Sequence, residues 1–418
     1  MQFLLTTIKE FASPCRAPTA HYGPLTNNAS FRRATLVEAL NFYVEFNFDL
    51  GSNVETKLPL VSRSRAIRTE IEAPPPISSA VARHRRTVRL AVAVVALTAS
   101  LAVAEIGARL LAYRSWQDPE DTKEGALLKA NPLFGWVNKP GHWMFPPYVP
   151  GGLTREITNR ADHSRTTGGD TNAVSESIMF VGCSATYGYG LSDAETFAWK
   201  IQQSHPEMHI VNFGTAAYST YQSLLRMERE LDQSSPPGLV VYGFITQHEM
   251  RNVATYDWLR GLALTSNRGH EAPPYVTRGP GGALNRHPPE AFSVWPLADR
   301  SVAIRMGGDA YMHLATWGRE REGPEATKRL IAAMRDLAER HGTRFAVAFL
   351  LAEEGRKEEY LSFFRERGVQ YFDCVEPLTE DNRILGEGHP NGKLNSLWAQ
   401  CISAKLTDPR ASMSVATR

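Results

Sequence analysis

The chain has 418 residues, more than one typical domain, and its composition of 43% hydrophobic and 22% charged residues is that of an ordinary folded protein. Lysine and arginine together number 46 against 44 for aspartate and glutamate, so the formal net charge of +2 gives no reason to expect nucleic acid as a partner. We expect one sizeable core with appendages.

The segment 1–83 opens the chain without a sustained apolar period. It closes with the basic stretch SRSRAIR and the proline run APPPISS. Such a segment has too little apolar surface to form a core of its own, so we predict that residues 1–83 are poorly ordered.

The segment 84–113 is the membrane candidate of the sequence. Fifteen uncharged, mostly apolar residues run from Leu90 to Ala104, directly after an arginine-rich flank. Continued to Tyr113, the run reaches the roughly 20 residues that span a bilayer. The basic flank predicts that the preceding side stays in the cytoplasm and that the rest of the chain is exported.

Two alternatives to a transmembrane anchor stay open. Ala102-Val103-Ala104 fits the small-x-small pattern of a cleaved export signal, and an apolar helix can also lie inside a soluble protein. The further apolar stretch IGARLLAY favours the anchor, because a cleaved signal does not need it. With either kind of membrane segment, the domain that follows lies on the periplasmic or extracellular side.

After a connecting segment, 114–176, strand-like and helix-like runs alternate over residues 177–408. The strand-like runs are SIMFVGCS, HIVNFGT, GLVVYGFIT, RFAVAFLL and VQYFDCV. The runs that follow them carry apolar residues at helical spacing, which predicts a three-layer α/β/α flavodoxin-like fold with a parallel five-stranded sheet. An insert, 252–323, shows little regular pattern except for helical pieces around 300–317, and such a long interval is typical of a lid, a binding loop or a docking surface.

Polar residues stand where the predicted strands end. Ser184 ends the first strand, Ala217 and Gln247 follow the second and third, and a Gly-rich loop after the fifth carries Glu387 and His389. Ligands of open parallel sheets bind at this edge. A serine becomes a nucleophile when a histidine takes its proton and a carboxylate orients that histidine. We therefore predict Ser184, His389 and Glu387 as catalytic residues. The backbone N–H of Ser184, the backbone near Ala217 and the amide of Gln247 are the predicted oxyanion donors.

Each piece also has an ordinary structural interpretation. A serine at a strand end commonly caps a helix, and the sequence GHPN commonly forms a turn. His248, Glu249 and Arg251 either line the pocket or anchor the insert. The occurrence of all the pieces in order, each at a strand end, favours catalysis.

The same blocks resemble those of the SGNH/GDSL hydrolase superfamily over residues 177 to about 406. VGCSATYGYGLSDAETF resembles the first block, VNFGTAAYSTYQ the second, YGFITQHEMRN the third and GEGHPNGKLNSLWA the last. The chain departs from the usual residues at three places: Cys183 replaces an aspartate, Ala217 aligns with a glycine, and Gln247-His248 replaces an Asn-Asp pair.

The resemblance implies a serine ester hydrolase that forms an acyl-enzyme on an O-acylated substrate, an acetylated glycan or a lipid ester, and the membrane segment predicts that it acts outside the cytoplasm. An O-acyltransferase of envelope polysaccharide shares the acyl-enzyme and is the first alternative. A non-catalytic scaffold of the cell envelope is the second, because of the three departures. No cofactor is implied, since the glycine spacing around GYG is not that of a dinucleotide site.

The cysteines fit an oxidising compartment. Cys374 and Cys401 enclose the loop that bears the predicted acid and base, and we predict a disulfide between them. Two buried free thiols are the alternative. Cys183 is expected to be buried as a small hydrophobe. No Cys-x-x-Cys or His/Cys ligand spacing indicates a metal site.

Overall fold

A computed structural model of the protein describes residues 79–119, 126–169, 176–233, 235–265 and 272–407. All but the last five residues of the segment 1–83, which we predicted to be poorly ordered, lie outside the described ranges. Within these ranges, the boundary between two compact units falls after Ala102.

The described ranges contain eleven strands and ten α-helices, besides short 3₁₀ turns. The strands are β1 (Leu128–Asn131), β2 (Gly135–Asn138), β3 (Gly141–Phe145), β4 (Arg155–Asn159), β5 (Glu176–Gly182), β6 (Met208–Asn212), β7 (Leu239–Ile245), β8 (Tyr275–Arg278), β9 (Leu284–His287), β10 (Arg344–Leu351) and β11 (Tyr371–Asp373). The helices are α1 (Ser79–Leu110), α2 (Ser184–Tyr187), α3 (Phe197–Ser204), α4 (Thr220–Leu231), α5 (His248–Asn252), α6 (Tyr256–Thr265), α7 (Val302–Ala315), α8 (Arg319–Arg340), α9 (Arg356–Arg367) and α10 (Gly392–Leu406).

Helix α1 contains the predicted membrane segment 84–113 except for its last three residues. Its part from Arg83 to Leu110 has a mean hydropathy of 2.1 over its most apolar window, and none of that window is buried. By length and composition it is the one helix in the described ranges that is able to cross a membrane.

The predicted five-stranded parallel sheet is confirmed, with the strand order β11-β10-β7-β5-β6. Read from the β6 edge, this is the flavodoxin-like order 2-1-3-4-5. Every residue of β7 is buried, as are all but the two end residues of β10, because helices cover both faces of the sheet. Helices α3 and α10 pack against each other, and α4 packs against α8. The fold is therefore a three-layer α/β/α sandwich.

Residues 126–169 differ from the expected connecting segment. They form two antiparallel hairpins, β1–β2 and β3–β4, and Phe134, Trp136 and Val137 are buried in the main core. Strands of only four or five residues leave no sustained period in the sequence, so the pattern did not reveal them.

The insert is also more regular than expected. Helix α7 lies within the predicted helical stretch 300–317, whereas α6 and the β8–β9 hairpin were not predicted. A second apolar cluster ties the insert together through Trp116, Phe292 and Met312. The helix that follows, α8, starts at Arg319, so its first five residues lie inside the predicted bounds of the insert.

Candidate active site

Ser184 is the first residue of α2, directly beyond the end of β5. The short helix packs tightly on the sheet because Gly182 and Gly243, which are paired on β5 and β7, carry no side chain. A Cβ atom at either glycine would lie only 2.2 or 2.0 Å from Oγ1 of Thr186. This close approach positions the serine at the carboxyl edge of the sheet, where ligands of such folds bind.

The structure brings the three predicted catalytic side chains together. Nε2 of His389 lies 3.1 Å from Oγ of Ser184, and Nδ1 of His389 lies 2.5 Å from Oε1 of Glu387. The other carboxylate oxygen of Glu387 accepts a 2.7 Å hydrogen bond from the backbone N–H of His389. A carboxylate that accepts the Nδ1 proton leaves Nε2 as the acceptor that faces the serine hydroxyl.

The loop that carries Glu387 and His389 is fixed at both ends. The backbone N–H of Ile384 donates to the carbonyl of His389 at 2.7 Å. Asn391 caps α10 by accepting from two backbone N–H groups, and its own amide donates back to the carbonyls of Asp381 and Arg383. The loop is therefore held by hydrogen bonds within the chain, independently of a substrate.

The predicted disulfide is confirmed. Cys374, directly after β11, is bonded to Cys401 in α10, with Cα atoms 5.8 Å apart. The bridge joins the two ends of the segment 374–401, which contains the loop with Glu387 and His389. Cys183 is a free thiol with no exposed surface, also as predicted.

The turn after Ser184 is held by a buried arginine that the sequence did not indicate. Nε of Arg165 donates to Oδ1 of Asp193 at 3.0 Å. The other guanidinium N–H groups donate to the carbonyls of Tyr187, Gly188 and Leu191 at 2.6 to 3.0 Å. The guanidinium thus supplies donors to a tight turn whose carbonyls would otherwise be buried without partners.

The buried Asn212, the last residue of β6, links this strand to the turn after Ser184. The amide of Asn212 donates to the carbonyl of Thr186 at 2.9 Å, and its oxygen accepts from the backbone N–H of Gly214 at 2.9 Å. A Cβ at Gly214 would lie 2.4 Å from the backbone nitrogen of Tyr187, so only glycine allows this approach. The loop after β6 and helix α2 are therefore in direct contact.

The predicted oxyanion donors stand after three neighbouring strands. Ala217 follows β6, Ser184 follows β5 and Gln247 follows β7. Ala217 has φ of +66°, in the left-handed region that favours glycine, which agrees with its alignment to a glycine in the second block. Oε1 of Gln247 accepts a long hydrogen bond of 3.5 Å from the guanidinium of Arg251. The NH₂ group of the same amide therefore points away from Arg251.

The run after Gln247 anchors α5. Nδ1 of His248 lies 2.6 Å from the hydroxyl of Tyr242, and burial lowers the pKa of His248 well below its usual 6.5. Arg251 donates to the carbonyl of Tyr218 at 3.0 Å. Glu249 accepts from the hydroxyl of Tyr360 at 2.6 Å. Of the two roles that we left open for this run, the contacts therefore favour anchoring.

Two aromatic residues that the sequence did not single out border the catalytic loop. The ring of Tyr189 lies 4.9 Å from the imidazole of His389, between ring centroids. A Cβ atom built on Gly190 would lie 3.2 Å from the hydroxyl oxygen of Tyr148, whose ring also stacks on the Arg155 guanidinium at 3.7 Å. Their rings come from the turn after Ser184 and from the β3–β4 connection, so only the folded chain shows that they share the site.

The chain is similar to solved structures of G-D-S-L lipolytic proteins and esterases. One is a putative lipolytic protein of the G-D-S-L family from Desulfitobacterium hafniense, at 14% identity over 55% of this chain and 98% of that chain, with a TM-score of 0.33. Another is the psychrotrophic esterase EstA from Pseudoalteromonas sp., at 11% identity over 55% and 95% of the two chains, with a TM-score of 0.32.

A third is an acetylxylan esterase from Geobacillus stearothermophilus, at 10% identity over 56% of this chain and 95% of that chain, with a TM-score of 0.33. No family model and no curated protein sequence matches the chain. Likeness at these identities and TM-scores bears on neither activity nor substrate, so the functional conclusion depends on the geometry of the site.

Proposed function

We propose that the protein is a serine ester hydrolase that acts through an acyl-enzyme. The observation that carries this proposal is the continuous contact from Glu387 through His389 to Oγ of Ser184, with distances of 2.5 and 3.1 Å. Such a chain of contacts is the arrangement that activates a serine. A helix cap does not require a carboxylate and an imidazole in this order.

In the proposed reaction, Oγ of Ser184 attacks the acyl carbon while Nε2 of His389 takes the hydroxyl proton. The ester C–O bond then breaks, and the leaving alcohol receives that proton from His389. Water, deprotonated by the same nitrogen, attacks the acyl-enzyme, and the carboxylic acid leaves as Ser184 regains its proton. The backbone N–H of Ser184, the backbone near Ala217 and the amide of Gln247 are the proposed donors to the developing oxyanion.

We further propose that the substrate is an acylated carbohydrate or lipid outside the cytoplasm. The disulfide and the apolar helix α1 support an exported, membrane-anchored domain. If a sugar hydroxyl rather than water resolves the acyl-enzyme, the same residues perform acyl transfer.

Steady hydrolysis of p-nitrophenyl acetate tests the proposal. We expect Ser184→Ala and His389→Ala to abolish turnover, whereas Ser204→Ala and His341→Ala, which change residues outside the site, leave it intact. Added sugar acceptors that convert the product from acetate to an acetylated sugar would identify a transferase. Lack of turnover on a panel of acyl esters and acetylated glycans would favour the scaffold alternative.

A further inference from the structure

The insert presents exposed apolar side chains on and around α7, the helix whose start contacts the end of α1. Six large side chains form it: Trp295, Leu297, Met306, Tyr311, Leu314 and Trp317, whose exposure ranges from 39% for Trp295 to 66% for Leu314. We call these six residues the insert patch. Large exposed apolar side chains that are grouped in this way mark a surface that binds a partner or a membrane.

The patch is organised by α7. Tyr311, Leu314 and Trp317 follow one another at spacings of three residues, and Met306 lies about three turns before Trp317, so these exposed side chains lie on one side of the helix and of the turn that follows it. The two charged residues of α7, Arg305 and Asp309, lie on the opposite side and pair with each other at 3.1 Å. The exposed face of this helix thus carries no lysine, arginine or carboxylate, and its one histidine is the exposed His313, whose ring lies 6.4 Å from that of Trp317.

Trp295 extends the patch beyond the helix. Its indole lies on α7, where a Cβ added at Gly307 or Gly308 would come within 3.3 Å of the ring, and it contacts Tyr311 with ring centroids 5.9 Å apart. Leu297 nearby has φ of +68°, an uncommon backbone conformation for leucine, and its side chain is 55% exposed. The side chain of Leu297 is therefore kept exposed by a backbone conformation that is energetically unfavourable for leucine.

The start of α7 is tied to the last turns of α1. Both carboxylate oxygens of Glu105 accept hydrogen bonds there: one from the hydroxyl of Ser301 at 2.8 Å and from the backbone N–H of Ala303 at 2.9 Å, the other from the N–H of Val302 at 3.2 Å. Arg109 donates to the carbonyl of Arg300 at 2.9 Å. These contacts hold the start of α7 against Glu105 and Arg109, the charged groups that the sequence predicts to lie near one membrane interface.

We propose that the insert patch lies in the headgroup region of the bilayer that holds α1. Tryptophan and tyrosine favour this region because their rings are apolar and their N–H and O–H groups are polar. Arg109 and Arg300 are exposed near the start of α7, and although each guanidinium pairs with a carboxylate, of Glu105 and Asp299, its remaining N–H groups suit lipid phosphates. The proposal goes beyond the hydrolytic activity, and it depends on α1 spanning the membrane.

Nitroxide accessibility in lipid nanodiscs that hold one full-length chain each tests the proposal. In a Cys15→Ser background, single labels are placed at Leu314→Cys and Trp317→Cys. A label at Glu358→Cys, on the exposed surface of α9, is the aqueous control, and a label at Val95→Cys in α1 is the membrane control. We expect the labels at 314 and 317 to collide at least several-fold more with oxygen, relative to a water-soluble nickel complex, than the label at 358.

The outcomes separate the possible occupants of the patch. If the labels at 314 and 317 match the label at 358 while the label at 95 is in lipid, the chain is anchored but the patch does not dock, and the proposal is wrong. If shielding appears only when several chains share a bilayer, a second copy covers the patch, which also contradicts the proposal. If the label at 95 is in water, neither the anchor nor the docking holds. Ester hydrolysis by the Leu314→Cys protein verifies that it is folded.

Discussion

Arg165 provides the sharpest test of how the fold positions the nucleophile. Its side chain has no exposed surface and pairs with Asp193, 9% of whose side chain is exposed. Arg165→Met would leave that carboxylate and the carbonyls of Tyr187, Gly188 and Leu191 without these donors. Removal of one partner from a buried ion pair costs about 3–5 kcal/mol, so we expect a loss of that size in the free energy of unfolding. The double variant Arg165→Met/Asp193→Asn should lose less than the sum of the two single variants.

Two measurements check this prediction on the full chain in detergent: urea unfolding, and the rate at which folded protein is labelled by a fluorophosphonate. Arg226→Met is the control, because Arg226 is also buried and pairs with a carboxylate, the partly exposed Glu230 of its own helix, α4. Since a misplaced nucleophile reacts slowly, we expect Arg165→Met to reduce the labelling rate about tenfold or more, and Arg226→Met to leave it nearly unchanged. A stability loss for Arg165→Met below about 1 kcal/mol, or equal labelling rates for the two variants, would refute the reasoning.

Three further predictions concern the oxyanion donor, the disulfide and the buried histidine. Gln247→Ala should lower kcat by about 10- to 1000-fold with less effect on KM in ester hydrolysis, and an unchanged kcat would move the donor role to another group. Replacing Cys374 and Cys401 by serine should lower the free energy of unfolding by about 3–4 kcal/mol in urea titrations, from the chain entropy of the opened loop, and a loss below about 1 kcal/mol would contradict this. Because burial depresses the pKa of His248 below 6.5, the unfolded chain binds a proton that the folded chain does not. Stability should therefore fall below pH 6.5, by up to about 1.4 kcal/mol per pH unit from this group, and His248→Asn should reduce the slope without removing it, because burial also lowers the pKa values of His163 and His209; an equal slope in the variant would assign it to other groups.

The central sheet could be predicted because its strands are apolar runs buried on both faces. The runs around Phe180, Val241 and Ala348 contain hardly any polar side chains, and only strands that are covered on both sides tolerate that pattern. The relation between Ser184 and His389, 205 positions apart, followed from the same reasoning, since the ends of parallel strands meet at one edge of a sheet.

Arg165 could not be predicted, for a physical reason. Three of the four groups it binds are backbone carbonyls, which every residue carries, and they lie 22 to 26 positions away in the sequence. The β1–β2 hairpin was missed because four-residue strands show no period, although Trp136 is almost completely buried. The predictions failed where backbone partners or very short elements determine the structure.

Covalent labelling tests the central claim most directly. The full-length protein is treated with a fluorophosphonate, which reacts with an activated serine, and the modified peptide is identified by mass. We expect one adduct, on Ser184, and we expect it to be lost in His389→Ala and kept in the control Ser204→Ala. An adduct on another serine, or none on Ser184 in folded protein with the disulfide intact, would contradict the assignment of Ser184 as the nucleophile.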